Sequence, residues 1–486
     1  MEVSNLEPQK LWSSFSQLNA IPRASKKEER IIDFMINFGK ELGLETLKDA
    51  VGNVVIKKPA SEGLEDKQTV VLQSHLDMVH QKNSDTVFDF TSQGIQMFVD
   101  GDWVKARGTT LGADNGIGVA AIMALLSSSD IAHPALEAMF TIDEETGMTG
   151  AKELDPVNFT GTILLNLDTE EDDELTIGCA GGIDTNTQYN YASQLSDPNS
   201  TAYEIVVKGL LGGHSGMDIH KGRGNANKLI NRLFYVALKS GIELQLSVLD
   251  GGSLRNAIPR EAKAIVVVPM AQKGMFLEYV EGFLNTLKEE YYAIEPSLNI
   301  LTNEVPLPQS VMTIEDLTKV VNTIYAVPNG VFRMSPDIEG LVEASTNLAR
   351  VFIKDGTFIT QSLQRSSVES TKEDVSNAVA AAFENIGAEV RREGDYPGWK
   401  PNPDSDILRL MVRLYKDTFD KEPKVEACHA GLECGILGSH LPNMDMISFG
   451  PTIHGAHSPD ERVQISSVQK FWKYLLAVLK EIPMKN

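Results

Sequence analysis

The sequence predicts a two-part α/β protein: a zinc-peptidase-like catalytic domain on a largely parallel sheet, with an α+β lid domain inserted into it. Three observations predict this. The first part of the chain alternates short apolar runs of strand length with helical patterns, as βα units around a parallel sheet do. After Gly182 the order becomes β-α-β-β-α-β, the pattern of a ferredoxin-like unit. From Pro401 the α/β character returns. A chain of 486 residues is also too long for one ordinary core.

The elements follow in order. Ser25-Lys26-Lys27-Glu28 reads as a capping box, with Ile31, Ile32, Phe34, Met35 and Phe38 behind it at helical spacing. Residues 54–56 and 69–72 read as short buried strands, 116–126 as a helix, and 136–142 and 163–167 as strands again. Residues 189–200 are polar, with Asp197-Pro198-Asn199-Ser200 as a turn. The ferredoxin-like unit takes strand 203–207, helix 226–238, strands 243–249 and 262–268, helix 275–287 and a strand near 298–301. A similar order recurs in helix 315–326, strands 347–353 and 357–363, and helix 372–386, without sequence identity to the first unit. Gly394-Asp395-Tyr396-Pro397-Gly398-Trp399 turns the chain back, 446–449 is a strand, and 463–482 is a closing amphipathic helix. The expected domains are therefore residues 1–185 with 397–486, and an inserted lid over 186–396.

Composition narrows the function. Asp and Glu number 67 against 44 Lys and Arg, a net charge of −23. Such a surface repels phosphate backbones and anionic bilayers, so neither nucleic acid nor membrane is an expected partner. No stretch of about 18 apolar residues occurs. The start, MEVSNLEPQK, lacks a basic then apolar pattern, so no secretory signal is expected. Three cysteines, Cys179, Cys428 and Cys434, do not make a disulfide framework, and the cytoplasm is the expected compartment.

The chemistry-bearing residues share a position. His75 and Asp77 follow the strand at 69–72, Glu144 and Glu145 follow 136–142, Asp168 follows 163–167, and His457 lies in the loop beyond 446–449. Asp114 stands directly before a helix. In an open α/β sheet, ligands bind at the carboxyl ends of strands, so these residues can converge. Two histidines and three carboxylates suit Zn²⁺, and one bridging carboxylate lets two ions sit about 3.5–4 Å apart. One of the adjacent glutamates can then ligate metal while the other takes a proton from water. The residues alone do not order that pair, and His454 competes with His457. A cluster of Cys428, His429, Cys434 and His440 fits no usual structural zinc spacing. The loop 112–118 lacks the Lys-Ser/Thr of a nucleotide-binding P-loop.

His75-Leu76-Asp77, Gly112-Ala113-Asp114-Asn115-Gly116, Asp143-Glu144-Glu145-Thr146-Gly147 and His457-Ser458-Pro459-Asp460-Glu461 together resemble the co-catalytic dizinc family of dipeptidases, carboxypeptidases and aminoacylases. Across its length the chain looks like those members that cleave Xaa-His dipeptides such as β-alanyl-histidine. The resemblance implies that Asp114 bridges two divalent ions, most often Zn²⁺, with Co²⁺ or Mn²⁺ as alternatives. It implies that His75 and Asp168 complete one ion, and Glu145 and His457 the other. Glu144 is then the general base and Asp77 orients His75. Asp at position 168 favours peptide hydrolysis over deacylation, the activity of the family's aminoacylases. From the lid, His214 in Gly212-Gly213-His214-Ser215-Gly216 resembles an oxyanion-stabilising histidine, often supplied across a homodimer. Asn256 resembles a substrate-holding residue, Arg365 suits the substrate's terminal carboxylate, and the loop of Glu433 resembles a substrate-side loop of the family. A non-catalytic scaffold on the same fold would be expected to lose ligands or base, and all are present.

Overall fold

Strands buried along their whole length form the centre of one sheet. The computed structural model describes residues 2–485. Strand Val70–His75 is buried at every position, as is Leu136–Thr141, so both faces are covered. Val70–His75 pairs in parallel with Leu136–Thr141 on one side and Ile163–Asn166 on the other. Asp445–Ser448 adds in parallel to Ile163–Asn166. Antiparallel strands extend this core: Val54–Lys58 and then Glu45–Lys48 beyond Leu136–Thr141, and Glu174–Cys179 beside Asp445–Ser448. The sheet has eight strands, with Lys424–Cys428 at its far edge. Because the chain continues to opposite sides of Val70–His75, a crevice opens at that strand's carboxyl end, where His75 stands.

Helix Ala113–Leu126 is apolar all round, and every residue in it except Asp114 is buried. It packs against helix Gln9–Asn19 and strand Val70–His75. Asp114 and Asn115 have non-helical backbone angles, so regular helix starts at Gly116, where the sequence places it. A four-stranded sheet of Met97–Asp100, Trp103–Ala106, Ile453–His454 and Arg462–Gln464 holds the loop carrying His457 between its last two strands.

Two readings need correction. Ser25–Glu28 is not a capping box. Helix Glu29–Glu41 starts after Glu28, whose carboxylate accepts the N–H of Lys26 and of Asp143, while the Ser25 hydroxyl donates to the Met78 carbonyl. Glu28 serves a distant loop rather than the helix start. The strand expected to stop at residue 72 runs on to His75, because Gln73 and Ser74 are buried on the ladder despite their polarity.

The chain divides into two compact units, one of residues up to Gly178 with Pro401–Ala427 and Leu432 onward, the other of Cys179–Lys400 with Cys428–Gly431. The second unit holds a nine-stranded antiparallel sheet. Strands Ser200–Lys208, Gln245–Gly251, Ala262–Pro269 and Asn299–Val305 with helices Ala226–Lys239 and Lys273–Glu290 make one ferredoxin-like unit in spatial order 4-1-3-2. A second unit has the same order. It is built from Gly181–Asn190, Val342–Lys354, Thr357–Ser366 and Glu389–Tyr396 with helices Ile314–Ala326 and Glu369–Glu384. Its first strand precedes the entire first unit in sequence, and it crosses the expected boundary at 185/186. Gln245–Gly251 pairs with Val342–Lys354 to join the two halves.

Candidate active site

Five segments bring the carboxylates and imidazoles of the first unit together, the fifth being the loop of His457 between Ile453–His454 and Arg462–Gln464. His75 ends its strand, Asp114 leaves the helix axis at a non-helical residue, and Glu145 lies in the turn after Leu136–Thr141. Asp168 follows Ile163–Asn166. Asp114 turns one oxygen to each histidine: Oδ1 is 3.1 Å from His75 Nε2, and Oδ2 is 3.1 Å from His457 Nε2. Asp168 Oδ1 lies 3.6 Å from His75 Nε2, and Glu145 Oε2 lies 3.0 Å from His457 Nε2. The groups His75–Asp114–Asp168 and Asp114–Glu145–His457 each have ligand atoms within 4.8 Å of one another and share Asp114. A third such group is His75 with Glu144 and Glu145.

The donor set suits cations. Asp168 Oδ1 and Glu145 Oε1 are buried carboxylate oxygens with no hydrogen-bond partner among the described residues. An unpartnered buried oxygen of this kind is costly, and a divalent ion satisfies it. Oxygen and imidazole donors without thiolate fit Zn²⁺, Mn²⁺ or Co²⁺. Burial opposes protonation of His75, yet Asp168, Asp114 and Asp77 around it hold its pKa well above the usual imidazole value. Hydrogen bonds to Asp114 and Glu145 raise His457 to about 11. Burial raises Asp168 well above the carboxylate range. Burial also pushes Glu144 up to about 8, against the pull of His75 and with Glu433, Glu145 and Asp114 adding to the rise.

Asp77 is fully buried beneath this cluster. Its Oδ1 is 3.3 Å from His75 Nδ1, and its two oxygens accept the backbone N–H groups of Glu144 and Glu145 at 3.0 and 3.3 Å. One carboxylate therefore orients a candidate ligand and the turn carrying both glutamates. Glu433 opens the helix Glu433–His440 and accepts hydrogen bonds from Gln73 Nε2 at 2.6 Å and Thr141 Oγ1 at 2.9 Å. Its Oε1 is buried without a hydrogen-bond partner among the described residues. Behind it, Asn166 donates to Gln73 Oε1 at 2.5 Å and accepts from the Ser448 hydroxyl. His454 sits apart, its ring tilted against Trp103 at 5.2 Å between centroids and its Nε2 3.6 Å from Glu171.

In the second unit, three of the expected residues meet around Ser215. The Ser215 N–H donates to the Asn256 carbonyl at 2.8 Å, and Arg365 Nε donates to the Ser215 hydroxyl at 3.4 Å. Arg365 is buried and donates to the Tyr396 hydroxyl at 2.8 Å, so it is not a solvated strand arginine. His214 Nδ1 accepts the N–H groups of Gly216 and Met217, both at 3.1 Å. That fixes the tautomer with the ring proton on Nε2. Burial and the neighbouring Arg365 lower its pKa and keep the ring neutral.

Two buried residues had no role assigned from sequence. Glu461 accepts four backbone N–H groups from the loop before Asp114, and Arg23 donates to carbonyls on the same loop and on the His75 loop. Glu461 stood inside a recognised motif. Nothing around Arg23 in the sequence marked it.

A split α/β unit that gathers two imidazoles and several carboxylates at one end of its sheet has the donor set of a metal-dependent hydrolase. The model of peptidase family M20/M25/M40 matches residues 71–481. The cytosol non-specific dipeptidase of Escherichia coli (strain K12) is 42% identical over 484 residues, covering 100% of both chains. The crystal structure of aminoacylhistidine dipeptidase from Vibrio alginolyticus superposes with a TM-score of 0.96 at 43% identity, covering 100% of this chain and 99% of that one. Aminopeptidase PepT from Bacillus cereus ATCC 10987, at 15% identity and a TM-score of 0.57, covers 98% of this chain and 99% of its own and shares the fold. The chain belongs to peptidase family M20/M25/M40 and is a metallopeptidase.

Proposed function

We propose that this metallopeptidase is a dipeptidase that hydrolyses Xaa-His dipeptides such as β-alanyl-histidine by preference. The observation that carries the reading is Asp114, whose two oxygens face two imidazoles 3.1 Å away, each backed by a further carboxylate. His75, Asp114 and Asp168 would hold one ion, and Asp114, Glu145 and His457 the other. When bound, the ions polarise the scissile carbonyl and lower the pKa of the attacking water. Zn²⁺ is the ion proposed.

The chain's own residues do the rest. Glu144 accepts the proton of the attacking water and delivers it to the leaving amine. Asp77 holds the backbone of Glu144 while fixing the His75 ring. His214, neutral with its proton on Nε2, donates to the developing oxyanion. Arg365 pairs with the substrate's terminal carboxylate, Asn256 helps hold the substrate, and Glu433 serves the substrate side. Residues 1–185 with 397–486 act as the catalytic domain and 186–396 as a lid through which the chain forms a homodimer. The protein is placed in the cytoplasm. No helix among the described residues is long and apolar enough to cross a membrane.

A substrate panel tests this. Cleavage of β-alanyl-histidine and other Xaa-His dipeptides ahead of other dipeptides is expected, with N-acetyl amino acids left intact. Robust cleavage of N-acetyl amino acids with none of β-alanyl-histidine would make the chain an aminoacylase instead.

A further inference from the structure

Glu461 and Arg23 are both buried, each 2% exposed, and they grip one residue from opposite sides. Glu461 Oε2 accepts the N–H of Leu111 at 2.7 Å and of Gly112 at 2.9 Å. Its Oε1 accepts the N–H of Ala113 at 2.7 Å and of Asp114 at 3.2 Å. Four donors fill the acceptor capacity of one carboxylate. Arg23 Nη2 donates to the Gly112 carbonyl at 2.5 Å, and its Nη1 donates to the carbonyls of Leu76 at 3.0 Å and Asp77 at 3.1 Å. Gly112 has a φ of 69°, and a Cβ there would lie 2.5 Å from Arg23 Nη2, so only glycine admits this grip.

The grip reaches the groups around the centre. Through Arg23 the loop of Asp114 is tied to the carbonyls beside His75. Through Asn115, whose Nδ2 donates to the Leu167 carbonyl at 2.6 Å, it is tied to the residue before Asp168. Through Glu461 it is tied to the turn of His457, four residues earlier in the chain. His457 is a non-glycine residue at φ 63° with an exposed ring, so its own loop gives it little packing.

We propose that Glu461 is a positioning residue: its carboxylate locks the backbone bearing Asp114 in register with His457 and so sets the relation between the two metal positions. This rests on reading those residues as a two-ion centre. A buried acid saturated by backbone donors is a rigid spacer, and its four bonds run to the one loop whose side chain faces both histidines. Arg23 is the counter-charge on the other side of that loop.

The test uses the full chain, stripped of metal and titrated with Zn²⁺ and Co²⁺. The wild type is measured first; if it does not bind two ions, the two-ion reading itself fails. Glu461→Gln sets an amide donor against backbone donors. It is expected to lower affinity for at least one ion by about 10- to 100-fold and to shift the visible bands of bound Co²⁺. The kcat for β-alanyl-histidine should fall more than KM rises. Glu461→Asp keeps the charge one methylene short and should recover part of both properties. A variant that melts earlier but binds both ions with wild-type affinity and bands would show a merely structural residue and overturn the proposal. If Glu461→Gln does not fold, Glu461→Asp is read in the same way: weaker affinity and shifted bands support the proposal, wild-type values overturn it.

Discussion

The Asp77 carboxylate lies 3.3 Å from the His75 imidazole and accepts the backbone N–H of Glu144 at 3.0 Å. The candidate ligand and the candidate base thus depend on one buried acid. Asp77→Asn keeps the shape but removes the charge and one acceptor. Metal affinity should drop about 10- to 100-fold, read by calorimetric titration of the metal-stripped chain. Unchanged affinity would separate Asp77 from the ligand set.

Glu144→Ala leaves every proposed ligand in place. Two ions per chain should remain by metal analysis, while kcat falls by about 10²- to 10⁴-fold. A variant with near-normal turnover would mean that Glu144 is not the base.

For His214→Ala the expected loss is about 10²- to 10³-fold in kcat, with KM moving less, because the proposed hydrogen bond strengthens only as the oxyanion develops. Steady-state kinetics with β-alanyl-histidine check the split. A pure KM effect would make His214 a binding residue.

His429 gives a pH signature in the second unit. Burial, with Arg365, His214 and His220 nearby, lowers its pKa to about 3. Its Nε2 is 2.8 Å from the Ser345 hydroxyl. The unfolded chain, with an ordinary imidazole, binds a proton that the folded chain refuses. The neutral ring's contribution is therefore complete above about pH 6.5 and is lost as pH falls toward 3, by up to about 1.4 kcal/mol per pH unit. Urea unfolding of metal-free protein between pH 5 and 7 should show a steeper fall for the wild type than for His429→Gln. Equal slopes would contradict this.

Gly118 tests the packing beneath the site. An added Cβ would lie 2.4 Å from Ser74 Oγ, 2.6 Å from Asn115 Oδ1 and 2.7 Å from the Leu167 carbonyl oxygen. Helix propensity favours alanine by about 1 kcal/mol. The backbone carbonyl cannot yield as a flexible side chain can, so overpacking should win, with Gly118→Ala less stable by about 1–3 kcal/mol in thermal or urea unfolding.

Much of this was legible in the sequence because the parallel strands are fully buried. Residues 136–142 and 163–167 read as short, mainly apolar runs despite Glu137 and Asn166 within them, and the groups just beyond them fall at one end of the sheet. The second ferredoxin-like unit was only half legible, since its first strand, Gly181–Asn190, lies before the whole first unit and mixes polar with small residues. The buried polar layer was not legible either. Gln73, Asn166 and Ser448 look like surface residues, yet each is buried and satisfied by a residue distant in sequence. Arg23 and Glu461 escaped for the same reason: their partners are mainly backbone groups, which leave no side-chain pattern to read.

The central claim is a two-ion dipeptidase centre. Titrating metal-stripped protein with Zn²⁺ while following β-alanyl-histidine hydrolysis tests it most directly. Activity should rise from near zero and level off at two ions per chain. Full activity in the presence of a strong chelator, or a plateau at one ion that a second leaves unchanged, would contradict it.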